Sequence, residues 1–306
     1  MKKIDAHLHL AQIVAGYCRR GELRAIGNGK AEWGNGEVFD LFPQTGEYGE
    51  TNFTAEQALA LAIMDRHQVE KAVLMQGSMY GFQNLYHEEI LKKYPDRFCP
   101  TCTIDPYMTN AAETMEYFFE KQGFKAAKFE VSSGGGLMGC HDPFDLAGKE
   151  MRPLFDIIEA HNAPVALDVG DLTMPSHQPW SLAKIAEDHP NMKLVVCHLL
   201  APIPGREKEL QLSLELLKKP NVWFDIAALP KIVAPGTYPF PAVHEVLKMA
   251  KDILGADRLL WGTDAPFAAT QDPYEHLADY LTKGDAFTEA ELEDVYYNNA
   301  KHVYFE

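Results

Sequence analysis

The sequence lacks long hydrophobic runs and has few cysteines. No window of about 18 or more apolar residues occurs, so we expect no membrane-spanning helix. His7 and His9 interrupt the apolar start of the chain, and we therefore expect no export signal. Five cysteines among 306 residues form an odd and sparse set. Such a set favours reduced thiols in the cytoplasm over a disulfide framework.

Positive charge is also scarce. The chain has 28 Lys and Arg residues against 44 Asp and Glu residues, which gives a formal net charge of −16. A surface of this sign repels phosphate backbones and anionic lipid headgroups. We therefore expect no nucleic-acid partner and no membrane partner, and the predicted ligand is a small-molecule substrate. A homodimer is the expected assembly, because dimers are common among soluble enzymes.

Eight short apolar segments alternate with polar or amphipathic segments. Hydrophobic residues make up 46% of the chain, the balance of a globular protein. The predicted strands are residues 3–10, 72–77, 98–105, 126–131, 165–170, 194–199, 222–229 and 259–265. The predicted helices are residues 54–67, 151–161, 179–188, 206–217 and 243–254, with two more in 274–304.

A strand followed by a helix, repeated about eight times in one chain, is typical of a (β/α)8 TIM barrel. We predict this α/β fold as a single domain over residues 1–306. A doubly wound sheet is disfavoured because no Gly-x-Gly-x-x-Gly turn follows an early strand. Residues 11–53 and 132–150 are predicted to be irregular loops over the mouth of the barrel. The aromatic residues of these and nearby loops either line a pocket, pack the loops down or form a subunit contact; they are Trp33, Phe39, Phe42, Tyr48 and Trp180.

The first predicted strand carries two histidines with one residue between them. Side chains two residues apart on a strand point the same way, so His7 and His9 are both predicted to enter the barrel. Two neutral imidazoles in register can clamp a zinc-like ion. The alternative is a pair of histidines that is merely hydrogen-bonded in a polar core.

Other predicted strands end in polar residues. His198 closes the sixth strand, Asp264 closes the eighth and Asp168 lies near the end of the fifth. TIM barrels place catalytic groups at this face of the sheet. Each residue alone is equally explained as a buried, hydrogen-bonded brace, whereas the set together favours a functional site.

Several further residues carry weaker signals. Lys128 and Glu130 share one face of the fourth strand, either as an internal ion pair or with a role in substrate binding. His141 and His177 lie on loops, where surface positions compete with substrate binding. The remaining seven histidines lie on helical segments and are predicted to face solvent; they are His67, His87, His161, His189, His244, His276 and His302. Cys99 and Cys102 are predicted to be buried thiols and not a redox pair, because side chains three residues apart on a strand point to opposite faces.

Taken in order, several segments resemble the amidohydrolase-related family, the metal-dependent branch that includes aminocarboxymuconate-semialdehyde decarboxylase. The segments are IDAHLH, PDRFCPTCTIDP, KLVVCH, LLWGTDAPF and NNAKHVY, and they extend over nearly the whole chain. The resemblance implies a TIM barrel with one divalent ion. It places His7, His9 and Asp264 at that ion, with Asp264 doubling as the general base. It makes His198 either a ligand or the residue that handles the metal-bound water.

The fifth strand departs from the family pattern. The family usually has P-V-x-x-H-x-G there, with the histidine on the metal, whereas residues 164–170 read PVALDVG. Asp168 therefore stands where a ligand histidine is expected. Three outcomes follow: Asp168 is a ligand in a site that tolerates manganese or magnesium better, Glu130 or His177 supplies the contact, or the metal binds weakly.

The leading hypothesis is a metal-dependent hydrolase that uses an activated water on a small amide, ester or lactone. The predicted metal ligands are His7, His9, Asp168 and Asp264, with zinc the expected ion and manganese the second choice. Asp264 or His198 is predicted to take the proton. The predicted substrate-binding residues are Lys128, Glu130 and His177. Two alternatives remain: a decarboxylase or hydratase of a small unsaturated or aromatic acid, and a barrel that binds a small molecule without turnover.

Overall fold

Parallel strands dominate the computed structural model, which describes residues 1–45, 48–57 and 63–306. In chain order the strands are β1 (Lys3–His9), β2 (Gly16–Cys18), β3 (Gly21–Gly27), β4 (Lys30–Trp33), β5 (Val38–Asp40), β6 (Val69–Met75), β7 (Phe98–Cys102), β8 (Ala126–Glu130), β9 (Val165–Asp168), β10 (Leu194–Val196), β11 (Val222–Asp225) and β12 (Leu259–Leu260). The eight-stranded parallel sheet runs β1-β6-β7-β8-β9-β10-β11-β12.

The two edges of this sheet meet. Leu8 of β1 bridges in parallel to Ala265, just past β12. The main-chain N–H of Ala6 donates to the carbonyl of Trp261 at 3.0 Å, and that of His9 donates to the carbonyl of Ala265 at 2.9 Å. These contacts join the first strand to the last. They confirm the predicted TIM barrel, and each of its eight strands overlaps one predicted from the sequence.

Helices follow most of the barrel strands. They are α1 (Met64–Arg66), α2 (Asn84–Lys93), α3 (Ala111–Tyr117), α4 (Leu137–Cys140), α5 (Arg152–Ala160), α6 (Pro179–Asp188), α7 (Glu207–Leu216), α8 (Leu229–Val233), α9 (Pro241–Leu254), α10 (Tyr274–Asp279), α11 (Glu289–Glu293) and α12 (Asn299–Tyr304). Short 3₁₀ turns occur at Ala55–Gln57, Cys197–Leu200, Ala256–Arg258, Ala268–Thr270 and Tyr280–Lys283, and π-helical turns at Phe118–Gln122 and Asp294–Asn298. Within the described parts of the chain, every helix is too short or too polar to cross a bilayer.

Four of the predicted helices are confirmed within two residues at each end; they are α5, α6, α7 and α9. The predicted helix at residues 54–67 falls partly on residues 58–62, which lie outside the described residues, and α1 covers part of its end. Residues 274–304 form two helical stretches, as predicted, with a break at residues 284–288.

The prediction that residues 11–53 are irregular was wrong. Strands β2–β5 pair in sequence as a four-stranded antiparallel sheet. The β3–β4 connection is a two-residue turn at Asn28 and Gly29, whose φ angles are 51° and 68°. Asn-Gly is the preferred pair for such a turn because both positions require positive φ. The turn signal was present in the sequence, but three of the four strands have only three or four residues, too few for an alternating pattern to stand out.

Three helix histidines predicted to face solvent are buried instead. His87, His189 and His244 are 0%, 4% and 4% exposed. His87 Nδ1 lies 3.1 Å from the carbonyl oxygen of Thr101. Burial lowers the pKa of His87 to about 4, against the opposing effect of the carbonyls that accept from its ring. The face of α2 that carries His87 packs on β7. The spacing of apolar residues in the sequence did not distinguish this buried face from a face exposed to solvent.

Acid is expected to destabilise the protein through His87. Because the folded-state pKa is below the ordinary value, this contribution to stability is present above about pH 6.5 and is lost as the pH falls toward 4. Between pH 7 and pH 5 the loss amounts to about 2 kcal/mol of the free energy of unfolding. Urea unfolding of wild type and of His87→Gln at both pH values measures it. The variant is expected to lose less stability on acidification by that amount. The exposed His302→Gln serves as control, and an equal acid sensitivity in wild type and His87→Gln would contradict the prediction.

Candidate active site

A bulge in β1 determines which of its side chains enter the barrel. Between Asp5 and Leu8 the strand advances by three residues while its partner β6 advances by two. The extra residue lets Ala6 and His7 both face inward, and Asp5 faces outward to bind Thr263 and Tyr274. His9 resumes the inward direction two residues after His7. The predicted histidine pair therefore lies inside the barrel at the carboxyl end of β1.

Both histidines have their Nδ1 atoms occupied. His9 Nδ1 lies 3.0 Å from the carbonyl oxygen of Met75, and His7 Nδ1 lies 3.0 Å from Asp225 Oδ2. Because these oxygens only accept hydrogen bonds, we assign the ring hydrogen of each histidine to Nδ1. In a neutral ring Nε2 then carries a lone pair, which points away from the Nδ1 partner. Burial keeps the rings neutral: it lowers the pKa of His7 and lowers that of His9 to about 4.

Asp264 completes a group of three acceptors. The Nε2 atoms of His7 and His9 are 3.1 Å apart, and Asp264 Oδ1 lies 3.0 Å from His9 Nε2 and 3.6 Å from His7 Nε2. Asp264 follows β12 with a φ of 59°, and its main-chain N–H donates to the carbonyl of His7 at 2.7 Å. Burial opposes its charge, but the surrounding histidines hold the pKa of Asp264 down at about 2.

Two neutral nitrogens and one carboxylate oxygen thus converge without a hydrogen between them. Such a set repels itself unless a cation is shared, and it matches the nitrogen and oxygen ligands that zinc-like ions prefer. The residues His7, His9 and Asp264 therefore fit a divalent metal ion. The sequence pattern and the family resemblance both predicted these three residues as ligands.

Asp225, at the end of β11, is a residue of the site that the sequence pattern did not predict. Its Oδ2 accepts from His7, and its Oδ1 accepts from the main-chain N–H groups of His198 at 2.9 Å and Ala227 at 3.1 Å. A second group, His7, His198 and Asp225, also brings one ligand atom from each residue within 4.8 Å. The oxygens of Asp225 are already used by these donors, so we assign it the orienting role that a carboxylate plays behind a ligand histidine. Its place at a strand end was the signal that could have found it.

Replacing Asp225 with asparagine is expected to weaken metal binding by about tenfold to a hundredfold. The amide loses the charge that holds the proton on His7 Nδ1 and leaves the ring free to turn. Titration of the metal-free protein with zinc against a competing chelator measures the dissociation constant. Asp257→Asn, at an exposed position, is the control, and an unchanged zinc affinity in Asp225→Asn would contradict the assigned role.

His198 is held in place by an uncommon backbone. The four residues from His198 to Ala201 have positive φ angles of 55°, 49°, 64° and 47°. Each such non-glycine residue costs on the order of 1–3 kcal/mol, so the surroundings must impose the conformation. Asp225 accepts from the main-chain N–H of His198, and His198 Nδ1 donates to the carbonyl of Ala227 at 3.0 Å. The His198 ring lies 4.6 Å from that of His7, between centroids.

Asp168 lies on the far side of His198. Its Oδ2 is 3.5 Å from His198 Nε2, and its Oδ1 accepts from the main-chain N–H of Gly170 at 3.0 Å. Burial opposes the charge on His198, but the hydrogen bond and charge of Asp168 outweigh it and raise the pKa of His198 to about 10. Neither group of convergent ligand atoms among the described residues includes Asp168. The metal role of Asp168 stays a prediction, and the observed contact is with His198.

Lys128 is buried among carboxylates. It is 1% exposed, and the acidic groups that act on it are Asp168, Glu130 and Asp264. Glu130, on the same strand, has its Oε2 3.5 Å from the main-chain N–H of Met79. Burial raises the pKa of Glu130, and Lys128 opposes this shift. Both side chains therefore belong to the same charged interior as the histidines, and their substrate-binding roles stay predictions.

The other candidates lie apart from this cluster. His177 lines a surface cleft with Phe144 and Trp180, and its role in substrate binding stays a prediction. His141 Nε2 pairs with Asp105 Oδ2 at 2.7 Å. Cys99 and Cys102 are buried free thiols, as predicted, and burial raises the pKa of Cys99 to about 12.

Solved structures of two proteins of low sequence identity share this fold. An amidohydrolase from Burkholderia multivorans, solved with bound HEPES, is 14% identical over 99% of each chain with a TM-score of 0.73, and the same protein has been solved with bound zinc. The 2,6-dihydroxybenzoate decarboxylase from Rhizobium is 18% identical, with a TM-score of 0.59 over 82% of this chain and 89% of the other.

Sequence comparison identifies the family. L-fucono-1,5-lactonase from Burkholderia ambifaria is 30% identical over 134 residues, which is 42% of this chain and 43% of the lactonase. The amidohydrolase family profile matches residues 4–305. This match confirms the resemblance stated from the sequence. The chain belongs to the amidohydrolase family.

Proposed function

We propose that this amidohydrolase opens a small lactone by adding water to its carbonyl carbon. The observation that carries the proposal is the convergence of His7 Nε2, His9 Nε2 and Asp264 Oδ1, with 3.1 Å between the two nitrogens and 3.0 Å from His9 Nε2 to the carboxylate oxygen. The partial similarity to L-fucono-1,5-lactonase supports a cyclic ester over an amide. We also propose zinc as the ion, because two imidazoles and one carboxylate form a donor set typical of catalytic zinc sites.

The residues that would hold the ion are His7, His9 and Asp264. When bound, such an ion polarises a carbonyl oxygen and lowers the pKa of a water molecule. The side chains of Asp264 and His198 are 12% and 11% exposed, against 8% for His9 and 0% for His7. Asp264 and His198 are therefore the most accessible of these four groups.

Asp264 is placed to act as the general base. Its carboxylate is ionised and reaches the open side of the cluster, so it takes a proton from the attacking water. His198, charged and held by Asp168, stabilises through its positive charge the oxygen on which negative charge develops. In the balanced reaction the water oxygen bonds to the carbonyl carbon and the bond from that carbon to the ring oxygen breaks. A proton is transferred to the ring oxygen, which becomes the released hydroxyl group.

Lactone hydrolysis is tested by proton release from δ-valerolactone and from sugar 1,5-lactones, with zinc-loaded protein. We expect turnover that disappears in Asp264→Asn and persists in the exposed control Asp257→Asn. The alternative lyase reaction is tested beside it with 2,6-dihydroxybenzoate. Carbon dioxide release from that acid, without opening of any lactone, would overturn the hydrolase proposal in favour of a decarboxylase.

A further inference from the structure

A cavity of about 550 Å³ lies between the β2–β5 sheet and the segment that follows β12. Trp33 and Phe39 of the sheet and Phe267 of the segment supply aromatic walls. Phe39 and Phe267 meet edge to face, with ring centroids 6.1 Å apart. The volume lies within the range of small-molecule sites, and the lining combines these aromatic rings with charged side chains.

This cavity lies near the acceptor cluster. Met79 lines it, and the next residue, Tyr80, stacks on the ring of His9 with centroids 4.7 Å apart. Phe267, on the opposite wall, follows Asp264 by three residues. The charge of Asp264 acts on Lys231, which lines the cavity, so the cavity lies within electrostatic range of the cluster.

Four charged side chains line the cavity, and three of them are already paired. Arg20 binds Glu37 at 2.9 Å, and Asp40 binds Lys30, outside the cavity, at 2.8 Å. Lys231 is the fourth, and it forms no ion pair with any residue that the structure describes. Its nitrogen lies 4.0 Å from the centroid of the Phe267 ring and 3.5 Å from Thr270 Oγ1.

Lys231 differs from Lys128 in its surroundings. Lys128 lies inside the barrel and is 1% exposed, whereas Lys231 lines the cavity beside the β2–β5 sheet. Lys231 is half-buried, and the acidic groups that act on it, Asp264, Asp272 and Asp40, do so without a direct contact. An ammonium group that is partly desolvated and has no paired anion gains most from an anion supplied by a ligand.

We propose that Lys231 binds a carboxylate of the substrate, so that the preferred substrate is a lactone bearing a carboxylate and not a neutral lactone. The part of this inference that names a lactone rests on the proposed function. The part that assigns an anion site to Lys231 does not. One unpaired positive charge matches one carboxylate, and the aromatic walls match the carbon ring that carries it. Lys231 lies on α8, directly after β11, at the face of the barrel where substrates bind.

The kinetic test compares two matched substrates, 5-oxotetrahydrofuran-2-carboxylate and the corresponding carboxamide, which differ in charge. Wild type is expected to prefer the carboxylate by about tenfold or more in kcat/KM, as a charge-assisted hydrogen bond predicts. In Lys231→Met the preference is expected to disappear, and Lys231→Arg is expected to restore part of it. Lys184→Met, which removes an exposed lysine, is expected to keep the wild-type preference. An unchanged preference in Lys231→Met, or no preference in wild type, would overturn the proposal.

A binding measurement separates the anion site from lactone chemistry. Calorimetric titration with glutarate and with glutaramide requires no turnover. Glutarate is expected to bind wild type about tenfold or more tightly than glutaramide, and this difference is expected to vanish in Lys231→Met. That result with no lactone hydrolysis would uphold the anion site and reject the lactonase. Equal affinity of wild type for the two ligands would reject the anion site.

Discussion

Replacing His7 with alanine is expected to abolish stoichiometric metal binding and to lower kcat/KM by about a thousandfold or more. His7 Nε2 meets both His9 and Asp264, so its loss leaves two donors, too few for a tight site. Asp225 would also lose the imidazole that it orients. Elemental analysis of the purified variant, together with lactone kinetics, measures both effects.

Two controls separate this effect from misfolding. His302→Ala removes an exposed histidine near the C-terminus and is expected to retain one equivalent of metal with full activity. Thermal unfolding of the metal-free proteins shows whether His7→Ala still folds. A folded His7→Ala protein with stoichiometric metal and wild-type turnover would contradict the assignment of the cluster.

Replacing Asp168 with alanine is expected to leave the ion bound and to lower kcat by about tenfold to a hundredfold. The reason is its contact: Asp168 Oδ2 lies 3.5 Å from His198 Nε2, and it belongs to neither group of convergent ligand atoms. Without this carboxylate, His198 loses the partner that keeps it charged and oriented. Elemental analysis and kcat, measured beside Asp168→Asn, test the prediction.

Asp168 and Asp225 form a matched pair of carboxylates for separating an effect on metal binding from an effect on turnover. Asp225 acts on His7, so its replacement is expected to change metal affinity, whereas Asp168 acts on His198 and is expected to change turnover. Loss of the ion in Asp168→Ala, from a wild type that holds one equivalent, would instead make Asp168 a ligand. The site would then be richer in oxygen, as the family comparison of the fifth strand first suggested.

The sequence by itself determined the barrel and the centre of its site. Buried parallel strands appear as short apolar runs, because helices cover one face and the barrel interior covers the other. Polar residues that end such runs, Asp264 and His198, lie at one face of the sheet, since all its strands point the same way. The two-residue spacing of His7 and His9 predicted a shared direction, which the structure bears out.

Only the tertiary structure decided which partners those residues have. Asp225 meets His7 across 218 positions of sequence, and no local periodicity encodes such a pairing. The same holds for Asp168, which stands at the position of a family ligand yet contacts His198. Lys231 became notable only when its charged neighbours in the cavity proved to be paired with other residues. Strand and helix periods are local properties of the chain, whereas ion pairing and burial depend on which distant segments fold against one another.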